Sequence, residues 1–338
     1  MPDSTLDQIV SSLQTSSSTY FPGRPEVKSA RVVGHTPKPD HYIYEIVLDF
    51  PQGSERVNAK IYRSKSGPAA SQELATREAR NLAYAYQTAE KRKLGGIPRP
   101  LGNFEELGAV VSTKVNGLQL QSMIMKTALL ADAGNHVLLE MAARRAGEWL
   151  QNFHRATAGM PVPVEGEALL ADMERLCVRA EEDGLPPEST EIILNRARSV
   201  VGKARKTVRS AAVLQEFVPL NVLVAEDGIG VCEFANMTQQ GQPLRDAAIF
   251  LAAVEALEKY PFCHRSITTV VQDSFIAGYG VGTQEQPLLD TLKMKVLLQM
   301  FAQGRTVKES AERKRVMWAN VMKRFIQRAA ERSTARAA

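Results

Sequence analysis

Cysteine, aromatic residues and long apolar runs are all scarce in this chain of 338 residues. The three cysteines, Cys177, Cys232 and Cys263, form no C-x-x-C pair, which argues against a disulfide framework and against a zinc ribbon. No apolar run reaches about 18 residues, the length of a membrane-spanning helix. The first ten residues, MPDSTLDQIV, hold two acids and no basic segment, so the sequence predicts no signal peptide and a cytoplasmic protein.

The charge of the chain is unevenly distributed. The 42 Lys and Arg exceed the 37 Asp and Glu by five, but from Gln303 onward ten basic residues face three Glu, which is +7. The rest of the chain therefore carries about −2, and we assign 303–338 to a basic C-terminal helix or tail. Packing on the larger lobe explains such a helix, and contact with an anionic membrane surface is the alternative. Nucleic acid is not expected as a partner, because no aromatic residues are interleaved for base stacking.

The length and an ordinary composition, 44% hydrophobic and 23% charged, are typical of one large globular domain or of two lobes. Residues 1–25 are rich in Ser and Thr and end in Pro and Gly, so we interpret them as a flexible leader. A helix is expected from a cap at Ser71 to about Lys91. Runs of β-branched and aromatic residues predict five strands, at 27–33, 42–50, 56–62, 97–104 and 107–115. Together they predict an N-terminal lobe over 26–113.

Beyond residue 118 the patterns become helical, and they predict a larger, mainly helical lobe over 114–302. Helices are expected at 119–131, 135–157, 167–181, 188–210, 243–259, 264–279 and 286–330, the last with a break near Gly304. One hairpin interrupts them: apolar runs at 212–224 and 229–234 flank Glu226-Asp227-Gly228, a turn signal. The predicted fold class is α+β, with a small antiparallel sheet and one helix followed by a helical lobe.

A lysine and a glutamate in the N-terminal lobe form the first candidate site. Lys60 lies in a predicted strand, on the face opposite Ala59 and Ile61. Glu78 lies in the apolar stripe of the following helix, where an inward-pointing acid needs a cationic partner. Lys60 is the nearest candidate for that partner. The alternative is that Glu78 reaches solvent at the edge of the helix.

The second candidate site lies around the hairpin. Glu216 precedes Asn221 by five residues on a loop that contains a proline, and the returning strand brings Glu233 into reach of Asn221. A carboxylate together with an amide oxygen suits a hard cation such as Mg²⁺, which takes its remaining ligands from waters and a phosphate.

Taken together, these segments resemble the aminoglycoside and choline phosphotransferase family, small-molecule kinases with a two-lobed protein-kinase-like fold. The resemblance covers about residues 25 to 280. FVPLNVLV at 217–224 looks like the catalytic loop HGDxxxxN with its following strand, and GVCEF at 230–234 looks like the metal-binding segment. Leu150 to His154 resembles the L-x-x-x-H that precedes this loop, Asp246 resembles a buried Asp of the family, and 97–100 with 111–117 resembles the hinge and its approach.

The resemblance implies ATP and Mg²⁺ as cofactors, and a nucleotide and a small-molecule hydroxyl acceptor as partners. Lys60 would hold the α- and β-phosphates and Glu78 would orient it. Backbone groups of the 111–117 segment, including Val111, Thr113 and Val115, would meet adenine.

The same resemblance implies the catalytic and metal-binding roles. Glu216 would be the catalytic acid that accepts or positions the acceptor hydroxyl, with Asn221 beside it. Asn221 and Glu233 would bind Mg²⁺. The implied activity is transfer of the γ-phosphate of ATP to a hydroxyl of an aminoglycoside-, choline- or sugar-like acceptor.

The sequence departs from the family pattern at the catalytic loop. Leu214-Gln215-Glu216 stands where the family has His-Gly-Asp, and Glu233 stands where it has Asp. A glutamate moves its carboxylate by about 1 Å relative to an aspartate, and such a displacement can cost on the order of 10²-fold in rate. The alternative function is therefore a pseudokinase, a nucleotide-binding or regulatory module without phosphoryl transfer.

One further pattern bears on the acceptor. Seven of the acids between 160 and 195 suit a cationic acceptor, although the solvated face of a surface helix explains them equally well: Glu165, Glu167, Asp172, Glu174, Glu181, Glu182 and Asp183.

Overall fold

The structure, a computed structural model, describes residues 2–24, 26–102, 104–130 and 132–304, together with residues 323 and 326. The predicted basic segment 303–338 therefore lies almost entirely outside the described residues. The α-helices are α1 (Pro2–Thr15), α2 (Ser17–Tyr20), α3 (Pro68–Lys91), α4 (Leu120–Leu129), α5 (Ala133–Ala156), α6 (Gly166–Glu182), α7 (Pro187–Lys203), α8 (Leu244–Ala256), α9 (Arg265–Tyr279) and α10 (Gln286–Gly304). None of these described helices has both the length and the apolar character needed to cross a membrane.

The strands are short except for the first three. They are β1 (Ser29–Pro37), β2 (His41–Phe50), β3 (Gly53–Tyr62), β4 (Ala109–Thr113), β5 (Leu118–Gln119), β6 (Pro161–Pro163), β7 (Thr207–Arg209), β8 (Ala211–Val213), β9 (Val222–Val224), β10 (Ile229–Val231) and β11 (Thr238–Gly241). The predicted α+β fold class, an antiparallel sheet in the N-terminal part and a larger helical part, is confirmed.

The chain divides into two units. The first consists of Met1–Gly117 and Ala225–Met237, and the second consists of Leu118–Val224 and the chain from Thr238 onward. The sequence predicts a boundary at 113/114 and the whole hairpin in the second lobe. The structure differs in that β10 and the Glu233 segment belong to the first unit, where they contact α3 and the loop that contains Gly96.

The first unit is built on a four-stranded antiparallel sheet in the order β1-β2-β3-β4. Strand alternation places Ile46 of β2 opposite Val57 of β3, and Tyr44 opposite Ala59, so one face of the sheet is apolar. The prediction of a fifth strand over 97–104 was wrong. That segment forms only an isolated bridge between Pro100 and Ser112, because its prolines cannot donate ladder hydrogen bonds.

Helix α1 covers the apolar face of this sheet. Ile9 and Leu13 are fully buried in one cluster with the inward side chains of β2 and β3. The prediction of a flexible leader over 1–25 was therefore wrong. The segment is rich in Ser and Thr, but it forms an amphipathic helix whose few apolar residues are part of the core.

Helix α3 covers the opposite face. It begins at Pro68, one turn before the predicted cap, and Ser71 is a buried residue within the helix that accepts a hydrogen bond from the backbone N–H of Ser64. Its buried positions follow one stripe along the helix and include the predicted inward residue Glu78: Ser71, Ala75, Glu78, Asn81, Leu82, Ala85 and Ala89.

The second unit is dominated by the pair α5 and α9. The two helices approach so closely that a Cβ on Gly147 would lie 2.2 Å from the carbonyl oxygen of Phe275, and one on Gly278 would lie 2.1 Å from that of Arg144. The predicted helix 188–210 ends earlier, at Lys203, because residues 207–209 form β7 and pair with β6. The remaining predicted helices of this part agree with α4, α5, α6, α8 and α9 to within a few residues.

Candidate functional site

A buried lysine lies between two carboxylates in the first unit. The Nζ atom of Lys60 is 3.0 Å from Oε1 of Glu78 and 2.7 Å from Oε2 of Glu233. Lys60 is 8% exposed and Glu78 is 3% exposed, so water screens this ion pair weakly. The predicted contact between Lys60 and Glu78 is confirmed, whereas the contact between Lys60 and Glu233 was not predicted.

Strand and helix periodicity bring the pair together. In β3, Ala59 and Ile61 point into the apolar cluster under α1, so Lys60 and Tyr62 point to the other face. There the hydroxyl of Tyr62 donates to Oε2 of Glu78 at 2.5 Å, and the glutamate thereby accepts from both residues of the strand. The two donors fix its carboxylate.

The ion pairs control the protonation of this cluster. Burial alone would lower the pKa of Lys60, but the carboxylates of Glu78 and Glu233 outweigh it and raise the pKa well above its ordinary value. Burial, and then the charge of Glu78, raises the pKa of Tyr62. Both shifts favour a charged Lys60 and a protonated, hydrogen-donating Tyr62 at neutral pH.

The segment that carries Glu233 is held by two further residues, Asn81 and Gly96, which are not among the predicted site residues. The side-chain amide of Asn81, on α3, donates to the carbonyl oxygens of both Phe234 and Met237 at 2.9 Å. Gly96 has a φ of +87°, and a Cβ there would lie 1.8 Å from the carbonyl oxygen of Ile229. An Asn in the buried stripe of an amphipathic helix was the available signal, because a buried amide needs partners.

His41 is buried and lies beside this cluster, with its ring 5.6 Å from that of Tyr62. Its Nδ1 is 2.8 Å from Oδ1 of Asp40, and its buried Nε2 has no hydrogen-bond partner among the residues that the structure describes. Burial, followed by the nearby charge of Lys60, lowers the pKa of His41 below 6.5, while Asp40 and Glu78 act in the opposite direction.

This lowered pKa predicts a pH dependence of stability. The unfolded chain binds the proton near pH 6.5 and the folded chain only at lower pH, so the free energy of unfolding falls as the pH drops below about 6.5. The slope has a limit of about 1.4 kcal/mol per pH unit. Urea unfolding between pH 5 and 7.5 should show this slope in the unmodified protein and a shallower one in His41→Phe. Equal slopes would assign the pH dependence to another group.

The second unit holds the loop that resembles the catalytic loop. The side-chain amide of Asn221 donates to the carbonyl oxygen of Glu216 at 3.1 Å, so the two residues are brought together as predicted. Phe217 is fully buried and stacks on Trp149, which anchors the loop to α5. Gln215 adopts a φ of +62°, a left-handed conformation that favours glycine. The loop thus keeps a backbone bend at the position where the family has its Gly.

A buried aspartate holds the backbone of this loop through hydrogen bonds. Asp246, fully buried at the start of α8, accepts hydrogen bonds from the backbone N–H groups of Leu214 at 2.8 Å and Gln215 at 2.7 Å. Its Oδ2 also lies 3.1 Å from Nε2 of His154, whose Nδ1 lies 3.0 Å from the hydroxyl of Tyr279. The buried Asp and the histidine expected from the resemblance therefore meet, and they position the residues just before Glu216.

Removing one acceptor from this network should destabilise the second unit. Asp246→Asn replaces one accepting oxygen by an NH₂ group, so one of the two backbone N–H groups loses its partner. We expect a loss of about 1–3 kcal/mol in the free energy of unfolding. Urea unfolding checks this, with Asp227→Asn in an exposed turn as the control, expected within about 0.5 kcal/mol of the unmodified protein. A stability unchanged in Asp246→Asn would contradict the role given to this carboxylate.

The hinge-like segment occupies β4 and the residues after it. Val111 is buried in the core under α1, and the hydroxyl of Thr113 accepts from the backbone N–H of Arg99 at 2.8 Å. The N–H of Thr113 itself donates to the carbonyl of Arg99, and Val115 packs where a Cβ on Gly230 would stand. The N–H of Thr113 thus already donates a hydrogen bond within the first unit. Contact of this segment with adenine stays a prediction.

The sequence matches no family model and no curated protein. Solved structures do match it. A choline kinase from Cryptosporidium parvum Iowa II aligns with a TM-score of 0.56 and 9% identity, over 98% of this chain and 97% of that one. An aminoglycoside phosphotransferase from Alicyclobacillus acidocaldarius aligns with a TM-score of 0.53 and 13% identity, over 90% and 92%. A glucosamine kinase in complex with glucosamine, ADP and inorganic phosphate aligns with a TM-score of 0.52 and 14% identity, over 92% of this chain and 96% of that one.

These similarities establish the fold. The chain has the protein-kinase-like fold of small-molecule phosphotransferases over nearly its whole length, as the resemblance implied. The identities of 9 to 14% carry no information on the acceptor.

Proposed function

We propose that this protein is an ATP- and Mg²⁺-dependent phosphotransferase that moves the γ-phosphate to a hydroxyl of a small molecule. The observation that carries the proposal is the buried Lys60, held between Glu78 and Glu233 within hydrogen-bond distance of both. A cation so deeply buried and flanked by two acids has little value as a structural element, because the desolvation penalty offsets the attraction. It has a clear use as a rigid phosphate-binding group.

In this proposal Lys60 donates to the α- and β-phosphates of ATP. Glu78, itself fixed by Tyr62, keeps the ammonium group in place. Because the two carboxylates keep Lys60 charged, the ammonium is available as a donor at every physiological pH.

Glu216 is the proposed base. The acceptor hydroxyl oxygen forms a bond to the γ-phosphorus while the bond from that phosphorus to the β–γ bridging oxygen breaks. The hydroxyl proton passes to the carboxylate of Glu216, and ADP leaves. Asp246 supports this role, since it holds the backbone immediately before Glu216.

Asn221 and Glu233 are the proposed ligands of Mg²⁺. A carboxylate and an amide supply the oxygen donors that this cation prefers, and the amide nitrogen of Asn221 donates to the Glu216 carbonyl, which assigns the ligand role to the amide oxygen. These residue types fit the metal. Bound there, the cation would neutralise the negative charge of the nucleotide phosphates. The described residues hold no cluster of three or more His, Cys, Asp or Glu side chains suited to a metal ion.

The pseudokinase is the second candidate function, and the loop sequence favours it. Glu216 and Glu233 are each one methylene longer than the family's aspartates, and Gln215 holds a left-handed backbone without being glycine. A site that keeps the fold and the lysine but not the base geometry would bind nucleotide without transferring phosphate.

Thermal unfolding with ATP, with Mg²⁺, with both and with neither tests nucleotide binding. A ligand that binds only the folded state adds about 2.7 kcal/mol at 100 times its Kd. We expect a shift that requires both together and disappears in Glu233→Ala. No shift at millimolar nucleotide would exclude the phosphotransferase.

The paired variant Glu216→Asp with Glu233→Asp separates the two candidates. If the site is tuned to glutamate, the variant loses ATP-dependent transfer. If it is a degraded kinase, the variant gains transfer that the unmodified protein lacks. ADP release in a coupled assay is the measurement.

A further inference from the structure

A cavity adjoins the proposed base within the second unit. It encloses about 510 Å³ and is lined by the loop residues Glu216 and Asn221, by the first turns of α8 and by one face of α10. This volume suits a ligand of the size of a sugar. A smaller cavity of about 190 Å³ lies among α6, α7, α8, α9 and α10, and its lysine and glutamate, Lys293 and Glu255, are paired with each other. The larger cavity is therefore the candidate site for the acceptor.

The charged side chains that line the larger cavity are two cations and one acid: Arg245, Lys295 and Glu216. The Nζ atom of Lys295 is 2.5 Å from Oδ2 of Asp172, and this hydrogen bond lowers the pKa of Asp172, so the two charges offset each other. Arg245 is exposed and has no ion-pair partner among the residues that the structure describes. If Glu216 meets the reacting hydroxyl as the base, the guanidinium of Arg245 is the charged group left to bind another part of the acceptor.

The acids that suggested a cationic acceptor do not line this cavity. Asp172 binds Lys295 and Arg175, and Glu174 binds Arg198 at 2.9 Å. The hydroxyl of Thr190 donates to Glu181. These contacts favour the alternative given above, in which the acids between 160 and 195 belong to the solvated face of a helix.

We propose that the acceptor carries an oxyanion, a carboxylate or a phosphate monoester, which the guanidinium of Arg245 binds while Glu216 faces the reacting hydroxyl. The inference rests on the proposed function for the identity of Glu216 as the base. An arginine forms two parallel hydrogen bonds with such groups, and those charge-assisted bonds are strong. A cationic group placed at the same position would instead meet the guanidinium of Arg245 and be repelled.

Calorimetric titration of the full chain tests the charge preference without requiring catalysis. The ligands are gluconate, glucose 6-phosphate, neutral glucose and cationic glucosamine. We expect at least one of the two anions to bind about 10-fold or more tightly than glucose, and glucosamine to bind most weakly. The comparison of gluconate with glucose 6-phosphate distinguishes carboxylate from phosphate. Tighter binding of glucosamine than of either anion, or no binding of either anion, would overturn the inference.

Substitutions at Arg245 test whether this residue causes the preference for an anionic ligand. Arg245→Gln should reduce the preference for the anion over glucose to about one, whereas Arg245→Lys should retain part of it. Arg198→Gln, on the exposed side of α7, is the matched control and should keep the full preference. A preference that survives in Arg245→Gln would also overturn the inference.

Phosphoryl transfer from ATP is measured separately, as the release of ADP in the presence of each of the same four compounds. Anion binding that depends on Arg245, without ATP-dependent transfer, would contradict the proposed function and leave the charge preference intact. Efficient transfer to glucosamine would support the proposed function and contradict the anionic acceptor.

Discussion

Replacement of Lys60 by methionine should lower the free energy of unfolding by about 3–5 kcal/mol. The substitution keeps the length of the side chain and removes its charge, which leaves the carboxylates of Glu78 and Glu233 facing each other without their common cation. Breaking a buried ion pair by removing one partner has a cost of this size because an uncompensated charge stays buried. Urea unfolding at neutral pH measures the loss, and the ATP-dependent thermal shift should vanish in the same variant.

The same strand supplies the control for this prediction. Arg56, also on β3, pairs with Glu45 at 2.8 Å but has a side chain that is 57% exposed. Because water screens an exposed pair, Arg56→Met should cost under about 1 kcal/mol. Similar losses for the two variants would show that Lys60 behaves as a surface lysine, and the proposed phosphate-binding role would lose its basis.

A methyl group added at Gly278 should lower the free energy of unfolding about as much as the loss of Lys60, but for a different reason. In Gly278→Ala the new Cβ would lie 2.1 Å from the carbonyl oxygen of Arg144, which belongs to the backbone of α5 and cannot rotate away. The two helices would have to separate. We expect a loss of about 3 kcal/mol, the upper end of the range for overpacked sites.

Gly202→Ala controls for the general effect of replacing a helical glycine. Gly202 lies in α7 and a Cβ there meets no atom within 4 Å. Since alanine favours the helix over glycine, this variant should be stabilised by up to about 1 kcal/mol. If urea unfolding shows that Gly278→Ala lowers the free energy of unfolding and Gly202→Ala raises it, the close approach of α5 and α9 is the cause. A neutral Gly278→Ala would mean that α5 and α9 pack less tightly than described.

The parts of the site that were predictable are those that local periodicity determines. Lys60 follows from strand alternation and Glu78 from the helical stripe, and the two elements are adjacent in the sequence, so their contact could be inferred. Asp246 and His154 were predictable only through the family resemblance, because a buried Asp resembles an ordinary helix N-terminal acid in the sequence.

The parts that were missed depend on contacts between distant segments. Glu233 meets Lys60 across 173 positions, and no local pattern carries that information. Asn81 and Gly96 have roles only because the Glu233 segment packs against them. Helix α1 was missed because its polar residues gave the composition of a leader, while the sheet face that buries Ile9 and Leu13 is formed later in the chain.

The first unit is discontinuous in the sequence, and this has a consequence for how the protein is made. Its last residues, Ala225–Met237, emerge from the ribosome only after Leu118–Val224 of the second unit. At ordinary rates of synthesis this delay is about 5–20 s. During that time Lys60 and Glu78 can pair, but Asn81 and Gly96 still lack the strand that they hold. The first unit can therefore be completed only when the chain has been synthesised as far as Met237, well beyond half of its length.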